Sequence, residues 1–184
     1  MAIRENNFAF IDSNNLYQSL SKDIIRNDNK IYSGWKLDYR KFRIYLEDKY
    51  KVRKAFLFIG FMPGNQAMYT KLQEYGYICV FKPTLELSDG RVKGNVDAEL
   101  VLHSMIEYEN FDKAVVVSGD GDFYCLIEYF LNNNKLKRVF IPNQHNYSRL
   151  LNRLSAPDNN ILAFIDGLQD KLNYAGKRKS SLRD

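Results

Sequence analysis

No stretch of this sequence approaches the about 20 consecutive apolar residues of a membrane-crossing helix. The opening residues, MAIRENNFAFID, lack the apolar core of a secretion signal and meet charged and polar side chains at once, which reads as a cytoplasmic start. Cysteine is scarce: Cys79 and Cys125 stand far apart in no CxxC spacing, so a structural zinc site is not expected. Each lies in an apolar run and reads as a reduced thiol of the core. There are two histidines, His103 and His145, and no Ser/His/Asp order points to acyl transfer. Neither GxGxxG nor a Walker sequence occurs, which argues against a nucleotide cofactor.

What is present is ample for a core. The chain has 184 residues, 45% of them apolar, which suits one globular domain. Residues 1–172 read as that domain, and the polar, basic stretch 173–184 as a tail. The net charge is +5 and the sequence pI about 9.1. Basic residues gather at Arg40-Lys41-Arg43, Lys49-Lys51-Arg53-Lys54, Lys135-Lys137-Arg138 and Lys177-Arg178-Lys179. Such a balance suits a polyanion, nucleic acid before membrane, although any one cluster is equally a solvated surface.

Short apolar runs alternate with segments of helical spacing. FAFI (8–11), AFLFIGF (55–61), YICVF (77–81), AVVV (114–117), RVFI (138–141) and ILAFI (161–165) are β-branched or aromatic and bounded by polar residues. Runs apolar on both faces are strands of a parallel sheet covered on both sides. Between them, 37–50, 66–75, 96–108, 123–131 and 147–154 space their apolar residues as helices do. The pattern predicts a doubly wound α/β domain. The polar insert 23–36 reads as a loop, and Ser88-Asp89-Gly90 as a turn.

Open α/β sheets bind ligands beyond the carboxyl ends of their strands. Asp12 follows the first strand, Ser118, Asp120 and Asp122 follow the 114–117 strand, and Asp97 opens a middle helix. Neighbouring strands one and 114–117 bring these acids to one crevice. Hard divalent cations explain such convergence, because Mg²⁺ and Mn²⁺ take oxygen ligands and bridge to phosphates. Taken singly, Asp12 reads equally as a helix cap, and Asp122 as the cap of a helix starting at Phe123. Asn14 and Asn15 sit at the same rim, as turn formers or as amides that orient Asp12 or touch phosphate. Lys93 stands four residues before Asp97 and offers a point charge for phosphate or a solvated loop residue. Glu99, His103 and Glu107 form one helical stripe, read first as a solvated face. Tyr17, Tyr32, Trp35 and Tyr147 lie in polar surroundings, and Tyr17 is the favoured base-stacking aromatic. A haloacid-dehalogenase phosphatase would need Asp-x-Asp after strand one, where this chain has Asp12-Ser13-Asn14.

The segments FIDSNNLY, KGNVDAELVLH and SGDGDFYCL, in that order, resemble the NYN branch of the PIN-like nucleases, close to the LabA-like group. The resemblance spans roughly residues 7–167. It implies a three-layer α/β/α Rossmann-like sandwich with a mainly parallel sheet, and a divalent-metal-dependent ribonuclease. Carried over by position, Asp12, Asp97, Asp120 and Asp122 match the acidic catalytic and metal-binding set, with Mg²⁺ or Mn²⁺ as cofactor. Asn15, Lys93 and Ser118 match substrate-side positions, and HNYSRLLNRL (145–154) puts Ser148 near the site. The resemblance further implies RNA as substrate, products with a 5′-phosphate and a 3′-hydroxyl, and a homodimer, since such domains often pair. One departure stands out. Many LabA-like members carry another acid six residues after the position of Asp97, where this chain has His103, and Glu99, roughly 200° around the helix from Asp97, does not serve in the same place. That leaves a catalytically weak RNA-binding or regulatory module as the alternative.

Overall fold

The computed structural model describes residues 5–82, 85–86, 92–93, 97–155 and 160–175, with the backbone alone described at 85–86 and 92–93. Its central sheet has six strands: β1 (Asn7–Asp12), β4 (Val52–Gly60), β5 (Tyr77–Lys82), β8 (Ala114–Val117), β9 (Leu136–Ile141) and β10 (Leu162–Phe164). Every pairing in it is parallel, and the order is β10-β9-β8-β1-β4-β5. The direction of winding reverses between β1 and β8, the switch point of doubly wound folds. All six expected strands are therefore present. The run 55–61 starts earlier, at Val52, and the run 138–141 starts at Leu136.

Alternation along β1 sends side chains to two cores. Phe8 and Phe10 join Phe58, Val116, Phe123 and Phe130 on one face. Ala9 and Ile11 join Leu16, Leu46, Leu57 and Val117 on the other. Each fully buried large side chain contributes roughly 1.5–3 kcal/mol relative to exposure. The second face is covered by α1 (Ser13–Ser21), α2 (Tyr39–Tyr50), α3 (Gln66–Glu74) and α6 (Gln169–Leu172), and the first by α4 (Asp97–Ile106) and α5 (Tyr124–Asn132). The expected three-layer α/β/α sandwich results. Among the described residues no helix is long and apolar enough to cross a membrane.

Several local expectations need correction. The insert 23–36 is not a plain loop: β2 (Ile24–Arg26) pairs antiparallel with β3 (Asn29–Tyr32). The linking residues Asn27 and Asp28 have φ of 48° and 60°. Left-handed values at both positions make a hairpin turn whose twist matches its strands, and Asn and Asp tolerate them best. Trp35 is buried rather than at a polar rim. Residues 13–21, which begin with the weak helix formers Ser-Asn-Asn, form α1 because Asp12 caps it and Leu16 and Leu20 bury on one face. The segment 149–154 is 3₁₀ rather than α-helical. Cys125 is exposed, since helical periodicity turns it outward with Tyr129, while Leu126, Ile127 and Phe130 face the core. Cys79 is half-buried.

Beyond α6 the chain remains in register. Asn173 bridges Leu37 and the Tyr174 N–H donates to Lys36 O at 2.8 Å. Two-residue strands β6 (Leu85–Glu86) and β7 (Val92–Lys93) pair antiparallel between β5 and α4. The turn expected at Ser88-Asp89-Gly90 lies outside the described residues. Some basic residues are structural. Arg43 is buried and donates to the carbonyls of Gly76, Val52 and Arg53, and Lys135 donates to those of Tyr108 and Phe111.

Candidate metal centre

Asp12 ends β1 and enters α1. Its backbone is extended, and Oδ1 accepts the Asn15 N–H at 3.0 Å, satisfying a donor that the first helical turn leaves open. Oδ2 accepts from the Ser118 hydroxyl at 3.3 Å. The carboxyl is 4% exposed. Its pKa is pushed up from 3.8 to about 6, first by burial and then by the charge of Asp97. The hydrogen bonds from Asn15, Ser118 and Asn14 oppose that rise.

The turn after β8 supplies the next acids. Ser118 is buried, and its oxygen accepts the Asp120 N–H at 3.2 Å. Asp120 caps the short 3₁₀ turn 121–123, with Oδ1 accepting the Asp122 N–H at 3.0 Å. The D-x-D spacing thus has a local cause: the first carboxylate holds the turn that presents the second. Asp120 is the cap here, not Asp122. Asp97 arrives from the first residue of α4. Asp97, Asp120 and Asp122 each present an oxygen, and the three lie within 4.8 Å of one another. Three carboxylate oxygens so close form a hard donor set that fits Mg²⁺ or Mn²⁺. Asp12 is not a member of that triad. It is more deeply buried than those three, and near enough for its charge to couple to Asp97.

The rim is held by a second line of contacts. Asn15 Oδ1 accepts the Gly119 N–H at 2.9 Å, tying α1 to the acidic turn. Gly119 O accepts the Ser148 N–H at 2.9 Å. Ser148 caps the 3₁₀ segment 149–154 and lies against Gly121, where an added Cβ would come within 3.0 Å of its Cβ. Ser148 thus touches the glycines on either side of Asp120. Asn143 is buried, donates to Ser19 O at 2.9 Å and accepts the His145 N–H at 2.9 Å, which anchors this loop to α1. Sequence reasoning did not single out Asn143. Its position just past β9 was the available signal.

Other candidates sit as follows. Tyr17 is 58% exposed and Asn14 is exposed. Tyr32 donates its hydroxyl to Leu20 O, and Tyr147 to Asn152. Lys93 belongs to β7, and its side chain lies outside the described residues. Glu99 pairs with Lys82 of β5 at 2.8 Å, and that bond lowers its pKa. His103 packs its ring edge-on to Phe58 with centroids 5.7 Å apart. Neither Glu99 nor His103 is in the triad.

A family model described as NYN domain matches residues 8–156, a span that holds Asp12 and all three clustered acids. The chain is 29% identical over 139 residues to Low amplitude and bright protein LabA of Synechococcus elongatus, covering 70% of this chain and 69% of that one. The crystal structure of a protein of unknown function from Vibrio parahaemolyticus shares the fold, with a TM-score of 0.67 and 22% identity over 95% of this chain and 99% of that one. With β1, α4 and the β8 turn delivering the acids from within the matched span, the chain belongs to the NYN domain family of the PIN-like nuclease superfamily and is similar to LabA.

Proposed function

We propose that the protein is a divalent-metal-dependent ribonuclease that hydrolyses RNA phosphodiester bonds at the Asp97–Asp120–Asp122 triad, with Asp12 buried beside it. The observation that carries this reading is the triad itself, three carboxylate oxygens within 4.8 Å at the switch point of the sheet. Asp97, Asp120 and Asp122 would hold Mg²⁺ or Mn²⁺, with Asp12 adding charge beside them. The ion, when bound, lowers the pKa of water and neutralises charge on the phosphoryl oxygens. The chain's own groups do the rest. Ser118 keeps Asp12 oriented while positioning the Asp120 backbone, so both acids are fixed before substrate arrives. Asn15 clamps Gly119 and keeps the acidic turn against α1. Lys93 is assigned a phosphate contact and Tyr17, exposed beside the rim, a base-stacking one. Ser148 supports the turn from the opposite side.

A labelled single-stranded RNA panel, incubated with Mn²⁺, Mg²⁺ or EDTA, tests this directly. Cleavage that needs metal and disappears in Asp120→Asn supports the reading, and cleavage indifferent to EDTA sinks it. One observation favours a second reading. The position where relatives of this group carry a further acid is His103, engaged with Phe58. RNA binding without turnover under either metal would make the protein a binding or regulatory module.

A further inference from the structure

A second site lies at the other end of the sheet. The amino ends of β8, β9 and β10 enclose a cavity of about 290 Å³ that Lys113, Lys137 and Arg138 line together with the carboxamides of Asn134 and Asn160. Along β8 it is roughly 16 Å from the acidic turn, five residues at the rise of a strand. Nothing in the proposed ribonuclease chemistry uses it.

The cations are held in place yet not saturated. Lys113 Nζ donates to Asn134 Oδ1 at 3.1 Å, which leaves two of its three N–H groups. One guanidinium nitrogen of Arg138 donates to Asn160 O. Its Nε is buried and has no partner among the described residues. Lys137 is engaged by Glu5 at 2.8 and 3.0 Å. The pKa of Glu5 is lowered, first by the hydrogen bonds it accepts from Lys137 and Asn7 and then by the charges of Lys137 and Lys113. Among the described residues the lining holds three cations and no carboxylate, with Lys137 held from outside by Glu5. Leu131, Leu136 and Ile161 add an apolar wall beside it. A cationic cradle next to an apolar wall is the lining expected for a phosphate attached to a sugar or base.

We propose that this cavity binds a phosphate group, carried either by a free nucleotide or by the terminal phosphate of an RNA strand. Lys113, pre-positioned by Asn134 with N–H groups to spare, and the adjoining Arg138 guanidinium supply the charge and donors that a phosphate takes.

The test uses the full chain, ¹⁵N-labelled and in EDTA so that no RNA is cut. Inorganic phosphate, adenosine 5′-monophosphate and a short 5′-phosphorylated RNA are titrated in turn, with amide shifts as the readout. Saturable shifts confined to residues 113, 136–138 and 160–161 are expected, weakened about tenfold in Arg138→Gln and in Lys113→Gln. Saturation by the mononucleotide identifies a free nucleotide as carrier, and saturation by the RNA alone identifies the strand end. If Arg138→Gln does not fold, Lys113→Gln, at a half-exposed side chain, carries the comparison. No saturable shift with any of the three probes, shifts only at the acidic turn, or unchanged affinity in Lys113→Gln overturns the proposal. Because catalysis is silent throughout, this result is independent of whether the acids cleave RNA.

Discussion

Replacing Asp12 with Asn should stabilise the metal-free protein while removing its function. Asp12 is almost fully buried, and its pKa rises from 3.8 to about 6 on folding. The folded state therefore holds the proton more tightly than the unfolded one. Asp12 contributes its full stability below pH 4, and that contribution is lost as pH rises through 6. At pH 7 the loss is about 3 kcal/mol, taking 1.36 kcal/mol for each tenfold change in proton affinity. Asn carries no charge and caps a helix as well as Asp, so the Asn15 contact survives. In EDTA at neutral pH, Asp12→Asn should gain about 2–3 kcal/mol, or about 4–12 °C in Tm for a chain of this size. Thermal unfolding followed by circular dichroism at pH 4.5 and 7.5 measures this. The gain should shrink sharply at pH 4.5, where the wild-type carboxyl is already protonated. Metal should reverse the order at pH 7.5, because it binds the ionised form and stabilises wild type more than the variant. A variant less stable than wild type at both pH values, or a gain independent of pH, refutes the electrostatic account of Asp12.

Other outcomes follow from single contacts. Gly121→Ala drives a Cβ into Ser148, so it should cost about 1–3 kcal/mol and weaken metal binding, read by denaturant unfolding and Mn²⁺ titration. Asn143→Ala strands the Ser19 carbonyl and the His145 N–H and should cost about 2–4 kcal/mol in urea unfolding, detaching the loop that carries Ser148. Glu99→Gln should cost less than about 1 kcal/mol, falling further with salt, and should leave Mn²⁺ affinity unchanged because its partner is Lys82. Tyr17→Ala should weaken RNA binding by about 1–3 kcal/mol in a filter assay with Tm unchanged, since the ring is exposed.

The six strands were legible because each is a short run of β-branched or aromatic residues bounded by polar ones, too short for a helix of the usual length. The polar hairpin 24–32 was not, since its strands carry Arg, Asn and Lys and its turn lacks glycine. Cys125 illustrates a different limit: an apolar run read without its phase hides which residues face outward. At the site, Asp120 and Asp122 were legible from their place after a strand and Asp97 from its place at a helix start, and the structure brings oxygens of all three together. What could not be read was depth. That Asp12 is buried, with Ser118 donating to it and Asn15 tied to Gly119, depends on contacts between residues about a hundred positions apart. The basic clusters were legible as charge but not as roles, and Arg43 and Lys135 turn out to bind backbone carbonyls.

The most direct test of the central claim is a Mn²⁺ titration of the ¹⁵N-labelled protein, read as paramagnetic broadening of amides. Saturable broadening centred on residues 12, 97, 120 and 122, and weakened at least about tenfold in Asp120→Asn, is the predicted result. Diffuse broadening that never saturates, or an identical titration in Asp120→Asn, would contradict it.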